Sequence, residues 1–293
     1  MTVDVLFPYY GDVALMKLAV RSVLRQSYSD LRFVVVDDGY PDDSIPGWFA
    51  SLNDDRVSYQ RNEKNLGANG NYRKCLTLVE NDLVVVMGAD DMMLPNYLEW
   101  LTDRADRFPQ AKIFQPGVYV MDENGAPSNT LVEQVKAHYR PNGHGPRLLS
   151  GEALAVSILR GDWLYFPSLG WRAETITGLG FREGYDVVQD MALVLDVAIS
   201  GGALLVDDEA AFLYRRHSGS DSSWRALEGT RFAEERRYFN TIAEELDAKG
   251  WRHASRIAKI HLSSRLHAAT LIPKATANRK WTGVRNLGEH LVK

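Results

Sequence analysis

Short unbroken apolar runs alternate with amphipathic stretches along the first 110 residues. Val3 to Phe7, Leu31 to Val36, Val57 to Gln60 and Leu83 to Met87 read as strands. The last is apolar throughout, as in a strand buried on both faces of a parallel sheet. Between the strands, Val13 to Gln26 carries Leu15, Leu18, Ala19, Ser22, Val23 and Gln26 near a 3.6-residue period, with Asp12 placed as its cap. A second helix is predicted over about Gly70 to Val79 and another from near Pro95. Strand and helix alternate four times, the signature of an α/β fold: a doubly wound, mostly parallel, Rossmann-like sheet with its strand ends on one edge.

Further on, Lys112 to Gln115 and Val118 to Met121 predict two more strands, ended by the turn Asp122-Glu123-Asn124-Gly125. Residues 126 to 148 hold three prolines and no clear period, and read as a long mobile loop. Helices are expected from Ser150 to about Arg160 and from Gln189 to Ser200, and strands at Ala203 to Val206 and Ala211 to Tyr214. From Leu227 the chain reads as helical, with Trp251, Ala254, Ala258, Leu262, Leu266 and Ala269 striping one helix. This gives a catalytic-size domain over 1–223, in halves 1–110 and 111–223, and a helical C-terminal extension over 224–293.

A 293-residue chain that is 45% hydrophobic can build a real core. No apolar run is long enough to span a bilayer and the N-terminus lacks a signal-like pattern, so a cytoplasmic protein is expected. The single cysteine, Cys75, excludes an internal disulfide and a Cys-rich zinc site. Charge is uneven: from Lys249 onward there are 10 basic residues and one acidic one, Glu289. Such a tail suits an anionic surface, whether lipid headgroups at the inner face of a membrane, a lipid-linked phosphate or an acidic partner, and equally a solvated face. Its four histidines read as surface residues.

Two strands end in acidic pairs, Asp37-Asp38 and Asp90-Asp91, which the parallel arrangement brings to one edge, where open α/β sheets bind ligands. Adjacent carboxylates suit a divalent cation that bridges to phosphate, and serve equally as helix caps. No Gly-x-Gly-x-x-Gly or Gly-Lys-Ser/Thr loop follows a strand, which argues against nicotinamide and P-loop enzymes. Tyr9 and Tyr10 follow the first strand instead and suit stacking on a base, one of the two being expected to point into the core.

Taken in order, these motifs resemble the inverting, GT-A-fold glycosyltransferases of family 2. The resemblance runs over roughly Val3 to Ser223 and rests on Phe7-Pro8-Tyr9-Tyr10, Ser22-Val23-Leu24-Arg25-Gln26-Ser27-Tyr28, Val35-Val36-Asp37-Asp38-Gly39, Asn65-Leu66-Gly67 with Asn71-Tyr72-Arg73, and Tyr214-Arg215-Arg216-His217. It implies that Pro8, Tyr9, Tyr10 and Asp38 frame the base and ribose of a sugar nucleotide, with Asp12 and Asn65 close by and Arg73 near the phosphates. It implies a metal site, Mn2+ or Mg2+, at Asp90 and Asp91 with His217, and places Asp90, Arg215 and Arg216 against the diphosphate. The family's Asp-x-Asp-Asp has Gly88 in its first position here, and its Glu-Asp pair is Gln189-Asp190. Asp190 would be the general base that takes the acceptor hydroxyl's proton.

The expected activity is transfer of a sugar from a nucleoside-diphosphate donor, most readily UDP-linked, to a sugar, lipid-linked or small-molecule acceptor. Trp163 to Trp171 and the loop 126 to 148 are expected to line the acceptor side. A catalytically silent nucleotide-sugar binder is the rival of another class, with Gly88 and Gln189 in its favour. A sugar nucleotidylyltransferase is the rival among enzymes, but the Gly-rich, Arg-bearing loop its family carries after the first strand is absent here. Nucleic acid is not an expected partner, although retention of the basic tail on DNA or RNA would reveal one.

Overall fold

The computed structural model describes residues 1–216 and 229–292. Its centre is one nine-stranded sheet in the order β3-β2-β1-β4-β8-β6-β9-β5, with β7 paired to β9. The first four strands are β1 (Val3–Tyr9), β2 (Leu31–Asp37), β3 (Val57–Arg61) and β4 (Leu83–Val86), all mutually parallel. β8 (Gly170–Arg172) runs antiparallel between β4 and β6 (Ala111–Met121), which is parallel to the long β9 (Ala203–Arg215). The short β5 (Met92–Met93) and β7 (Arg147–Ser150) pair antiparallel with β9. β1, β2 and β4 are buried along their whole length, as their unbroken apolar runs require, apart from Arg32 at the start of β2.

Two apolar layers flank the sheet. One packs α1 (Val13–Leu24) and α4 (Tyr97–Arg107) against one face of the sheet. The other packs α6 (Gly151–Arg160) and α8 (Gln189–Ile199) together with α9 (Thr230–Ala248) and α10 (Arg252–Ile260). The C-terminal helices α9 and α10 therefore share the main core. Only α11 (Leu262–Ala277) and α12 (Trp281–Val292) close a small cluster of their own with α9, around Phe232, Ala268, Ala275 and Leu287. The boundary suggested at 223/224 lies outside the described residues.

Several sequence expectations are corrected. The two strand pairs at 112–121 and 203–214 are single strands, β6 and β9, which keep pairing through register shifts near Gln115 and Gly117. The stretch 126–148 is not a bare loop: it forms α5 (Leu131–Tyr139) and leads into β7. α2 (Ser44–Ser51), α3 (Gly67–Leu76) and α7 (Ala173–Leu179) complete the helices, α3 starting three residues earlier than expected. The stripe from Trp251 to Ala269 does not stay on one helix. His261 takes a left-handed conformation, φ 35°, and turns the axis between α10 and α11. Ala254 and Ala258 are buried while Leu262 and Leu266 face solvent.

Candidate functional site

The carboxyl ends of β1, β2 and β4 open onto a cleft of about 290 Å³ lined by Pro8, Tyr9, Tyr10 and Asp38 from the turns after β1 and β2 and by Asp90, Asp91, Arg215 and Arg216 from those after β4 and at the end of β9. Ala68, Asn71, Tyr72, Pro167 and Tyr214 complete the walls. The parallel register explains the gathering: Pro8 and Tyr9 stand beside Val36 and Asp37, and the Met87 amide donates to the Leu6 carbonyl, so three strands deliver their turns to one place. Both acidic pairs share that edge. Asp37, however, is spent on structure, accepting from the Tyr59 hydroxyl at 2.5 Å and the Tyr40 amide at 2.8 Å.

Asp38 is buried and held from one side only. Its Oδ1 accepts from Asn62 Nδ2 at 2.7 Å and from the Leu66 amide at 2.8 Å, and Asn62 is itself fixed by Asn71 and Lys74. Oδ2 has no partner among the described residues and is available to a hydroxyl or ring N–H in the cleft. The two tyrosines divide as expected: Tyr9 is buried with its hydroxyl on the Gly11 carbonyl, and Tyr10 is 54% exposed.

Asp90 and Asp91 are pinned against the end of β9. The Arg215 amide donates to Asp91 Oδ1 at 2.7 Å, and Arg215 Nε donates to the Asp90 carbonyl at 2.9 Å. Burial, with the neighbouring Asp90 charge, holds the Asp91 carboxyl well above the usual carboxylate range. A cation among these oxygens would relieve that cost. Among the described residues no group of three or more His, Cys, Asp or Glu could hold a metal ion, and His217 lies outside them. The pair therefore fits a cation shared with a ligand's oxygens and water better than a site closed by protein alone.

Four of the predicted residues, Asp12, Asn65, Arg73 and Asp190, do not line the cleft. Asp12 caps α1, accepting from the Leu15 amide at 2.9 Å. Asn65 accepts from the Gly67 amide at 2.8 Å to open α3, and Arg73 donates to the Arg182 carbonyl at 3.3 Å. Local turns and caps consume these polar groups, which is why their spacing alone is ambiguous.

Asp190 opens α8. Gln189 Nε2 donates to Asn69 Oδ1 at 2.7 Å, which ties that opening to α3, whose Ala68 lines the cleft. Packing around the Asp190 carboxyl and the charge of Asp162 raise its pKa to about 6; Lys136 and Arg231 oppose them. Lys136 also feels Arg216 of the cleft, and burial lowers its own pKa. Sequence reading missed this surrounding set. Asp162, Lys136 and Arg231 carry no motif, and Glu133 of α5, paired with Arg216 at 2.5 Å and accepting from the Tyr165 hydroxyl, sits in what read as loop. The aromatic acceptor wall is also corrected: Trp163 and Trp171 are buried in the core, and only Pro167 of that stretch reaches the cleft.

A mostly parallel sheet with a cleft at its strand ends and paired carboxylates at the end of β4 is the arrangement of a GT-A fold. The family model described as glycosyl transferase family 2 matches residues 4–161, more than half of the chain, and the protein belongs to that family. S. aureus TarS 1–349 superposes over 100% of this chain and 81% of its own with a TM-score of 0.66 at 14% identity. The same protein in complex with UDP-GlcNAc gives 0.59 over 99% and 90%, at 12% identity. An uncharacterized Mycobacterium tuberculosis protein, MT1568, is 26% identical over 77% of this chain and 70% of its own. A Campylobacter jejuni GalNAc(5)-diNAcBac-PP-undecaprenol β-1,3-glucosyltransferase is 29% identical, over 35% of this chain and 34% of its own length.

Proposed function

We propose that this glycosyltransferase moves a sugar from a UDP-sugar to an acceptor hydroxyl with inversion, using Asp190 as general base. The observation that carries the reading is the cleft itself, which gathers an Asp38 oxygen without a partner among the described residues, the exposed Tyr10, Asp90-Asp91 and Arg216, while the Arg215 guanidinium is spent on the carbonyls of Asp90, Asp122 and Glu123. A hydrogen-bond acceptor and an aromatic face gathered in one cleft with a carboxylate pair and an arginine suit a nucleoside diphosphate. The UDP-GlcNAc complex of the similar TarS fold supports the choice of nucleotide.

Asp38 would accept from the ribose or base while Tyr10 covers the base face. Asp90 and Asp91, with His217 as the further ligand the sequence suggests, would hold Mn2+ or Mg2+. Such a cation supplies charge stabilisation to a diphosphate leaving group. Arg216, oriented by Glu133, adds a fixed positive charge to the same cleft. A carboxylate whose pKa is about 6 is a stronger base than an ordinary aspartate and is still ionised at neutral pH. Asp190 is thus suited to take the acceptor proton as the hydroxyl oxygen attacks the anomeric carbon from the face opposite the diphosphate.

A lipid-linked acceptor, as in the name of the Campylobacter relative, fits the basic C-terminal region, and a peripheral place at the inner face of a membrane goes with it. No helix among the described residues is long and apolar enough to cross a membrane. The test is release of UDP from a panel of UDP-sugars, with Mn2+ and with chelator, by wild type and Asp190→Asn. Metal-dependent release lost in the variant is expected; release unchanged in the variant would remove Asp190 from the mechanism.

A further inference from the structure

The segment that leads into Asp190 is clamped by a helix beyond the family match, which ends at residue 161. Glu234 of α9 directs one carboxylate oxygen, Oε1, at three successive backbone amides: Asp186 at 2.8 Å, Val187 at 2.6 Å and Val188 at 3.1 Å. Successive N–H groups converging on one anion form a nest, and this nest lies directly ahead of Gln189 and Asp190. α8 has no side-chain cap of its own at Val188, so the Glu234 carboxylate supplies from another helix the negative charge that a helix start favours.

Four further contacts fix the same segment to α9. Arg237 donates to the Gly184 carbonyl and lies 4.8 Å from the Tyr185 ring, the Tyr185 hydroxyl meets Thr241 at 3.3 Å, and Arg182 pairs with Glu245 at 2.7 Å. The stretch 182 to 188 is thus held along about three turns of one helix. One turn before Glu234, Arg231 pairs with Glu235 at 2.5 Å and presents its charge toward Asp190. Glu235 in turn accepts from Ser264 of α11, so the anchor reaches the rest of the C-terminal region.

We infer that Glu234 is a positioning residue for Asp190, and that α9 is a working part of the catalytic site rather than an appendage. The inference rests on the reading of Asp190 as base. Without the carboxylate, three amides lose their shared acceptor and the start of α8 is free to shift, and a displacement of about 1 Å at a reacting group costs roughly 100-fold in rate.

The test compares wild type, Glu234→Ala, the milder Glu234→Gln and Asp190→Asn in the full chain. Amide hydrogen exchange at 186–188 needs no substrate and should be at least about tenfold faster in Glu234→Ala. UDP release from UDP-glucose, UDP-galactose and UDP-GlcNAc is followed in parallel, with kcat down about 100-fold and KM little changed in Glu234→Ala. Glu234→Gln, which keeps an acceptor oxygen without the charge, should fall between. Unchanged exchange at 186–188 overturns the inference, as does faster exchange with unchanged kcat; where no sugar of the panel is turned over, exchange at 189–191 decides, and protection there unchanged in Glu234→Ala overturns the inference as well. Asp190→Asn should keep slow exchange while losing rate, and full rate in that variant would sink the base assignment and leave the exchange result standing.

Discussion

The Asp91 carboxylate occupies the space beside Gly88 that a side chain at position 88 would need. A Cβ built there falls inside the van der Waals surface of Asp91 Oδ2 and 3.2 Å from its Cγ. Glycine at the first position of the acidic motif therefore goes with an inward Asp91, which Arg215 locks through its amide.

Gly88→Ala should push Asp91 off that amide. We expect a loss of about 1–3 kcal/mol, as for other overpacked buried positions, read by urea denaturation. Mn2+-dependent binding of UDP should weaken in the same variant.

Asp190→Asn should cost about 10²–10⁴-fold in rate, the usual worth of a general base. It should also stabilise the protein. The folded pKa is raised to about 6 from the 3.8 of a free carboxyl, so the folded state holds this proton more tightly. The penalty for ionising it is absent at low pH and complete above pH 6. Removing the charge should therefore raise stability at pH 7.5 by roughly 1–3 kcal/mol and leave it almost unchanged at pH 3.5, measured by thermal melts.

The pH profile of transfer should rise through about 6 as Asp190 ionises. Asp162→Asn removes a like charge and should move that limb to lower pH, and Lys136→Gln removes an opposite charge and should move it higher, each by about half a unit to one unit. Limbs that stay in place in both variants would separate the profile from Asp190.

The tail histidines make a further pH effect. Contrary to a surface placement, His261 and His290 are buried, their rings 5.1 Å apart, with His290 Nε2 2.8 Å from Ser264 Oγ. Burial, and then His261, push His290 down to about 4. A depressed histidine gives stability that is present above about pH 6.5 and lost as pH falls through 4, here about 3 kcal/mol. Hydrogen exchange across α11 and α12 should accelerate over that window in wild type and depend less on pH in His290→Gln.

The legible parts of the sequence were those where a single physical demand fixes the residue type. β1, β2 and β4 need unbroken apolar runs because both faces are covered, and their register alone brings Asp38 to Asp90. α5 was illegible because its burial is inverted: Glu133 is buried on Arg216 and Tyr165 while Leu131, Val132 and Val135 are exposed. A hydrophobic period finds faces that meet a core, and this helix turns its polar face inward. The kink at His261 was hidden for a related reason, since the apolar spacing continues across a residue whose backbone leaves the helix. Glu234 could not be read at all, because its partners are backbone amides with no sequence signature.

The most direct test of the central claim is a thermal-shift panel of UDP, dTDP, GDP and CDP, each with Mn2+ and with chelator, on wild type and Asp38→Asn. A nucleotide at ~100 times its dissociation constant adds roughly 2.7 kcal/mol of stability. The account predicts a Mn2+-dependent shift for UDP that is lost or much reduced in Asp38→Asn. No shift for any nucleotide in the wild type, with or without Mn2+, would contradict a nucleotide-sugar site in this cleft.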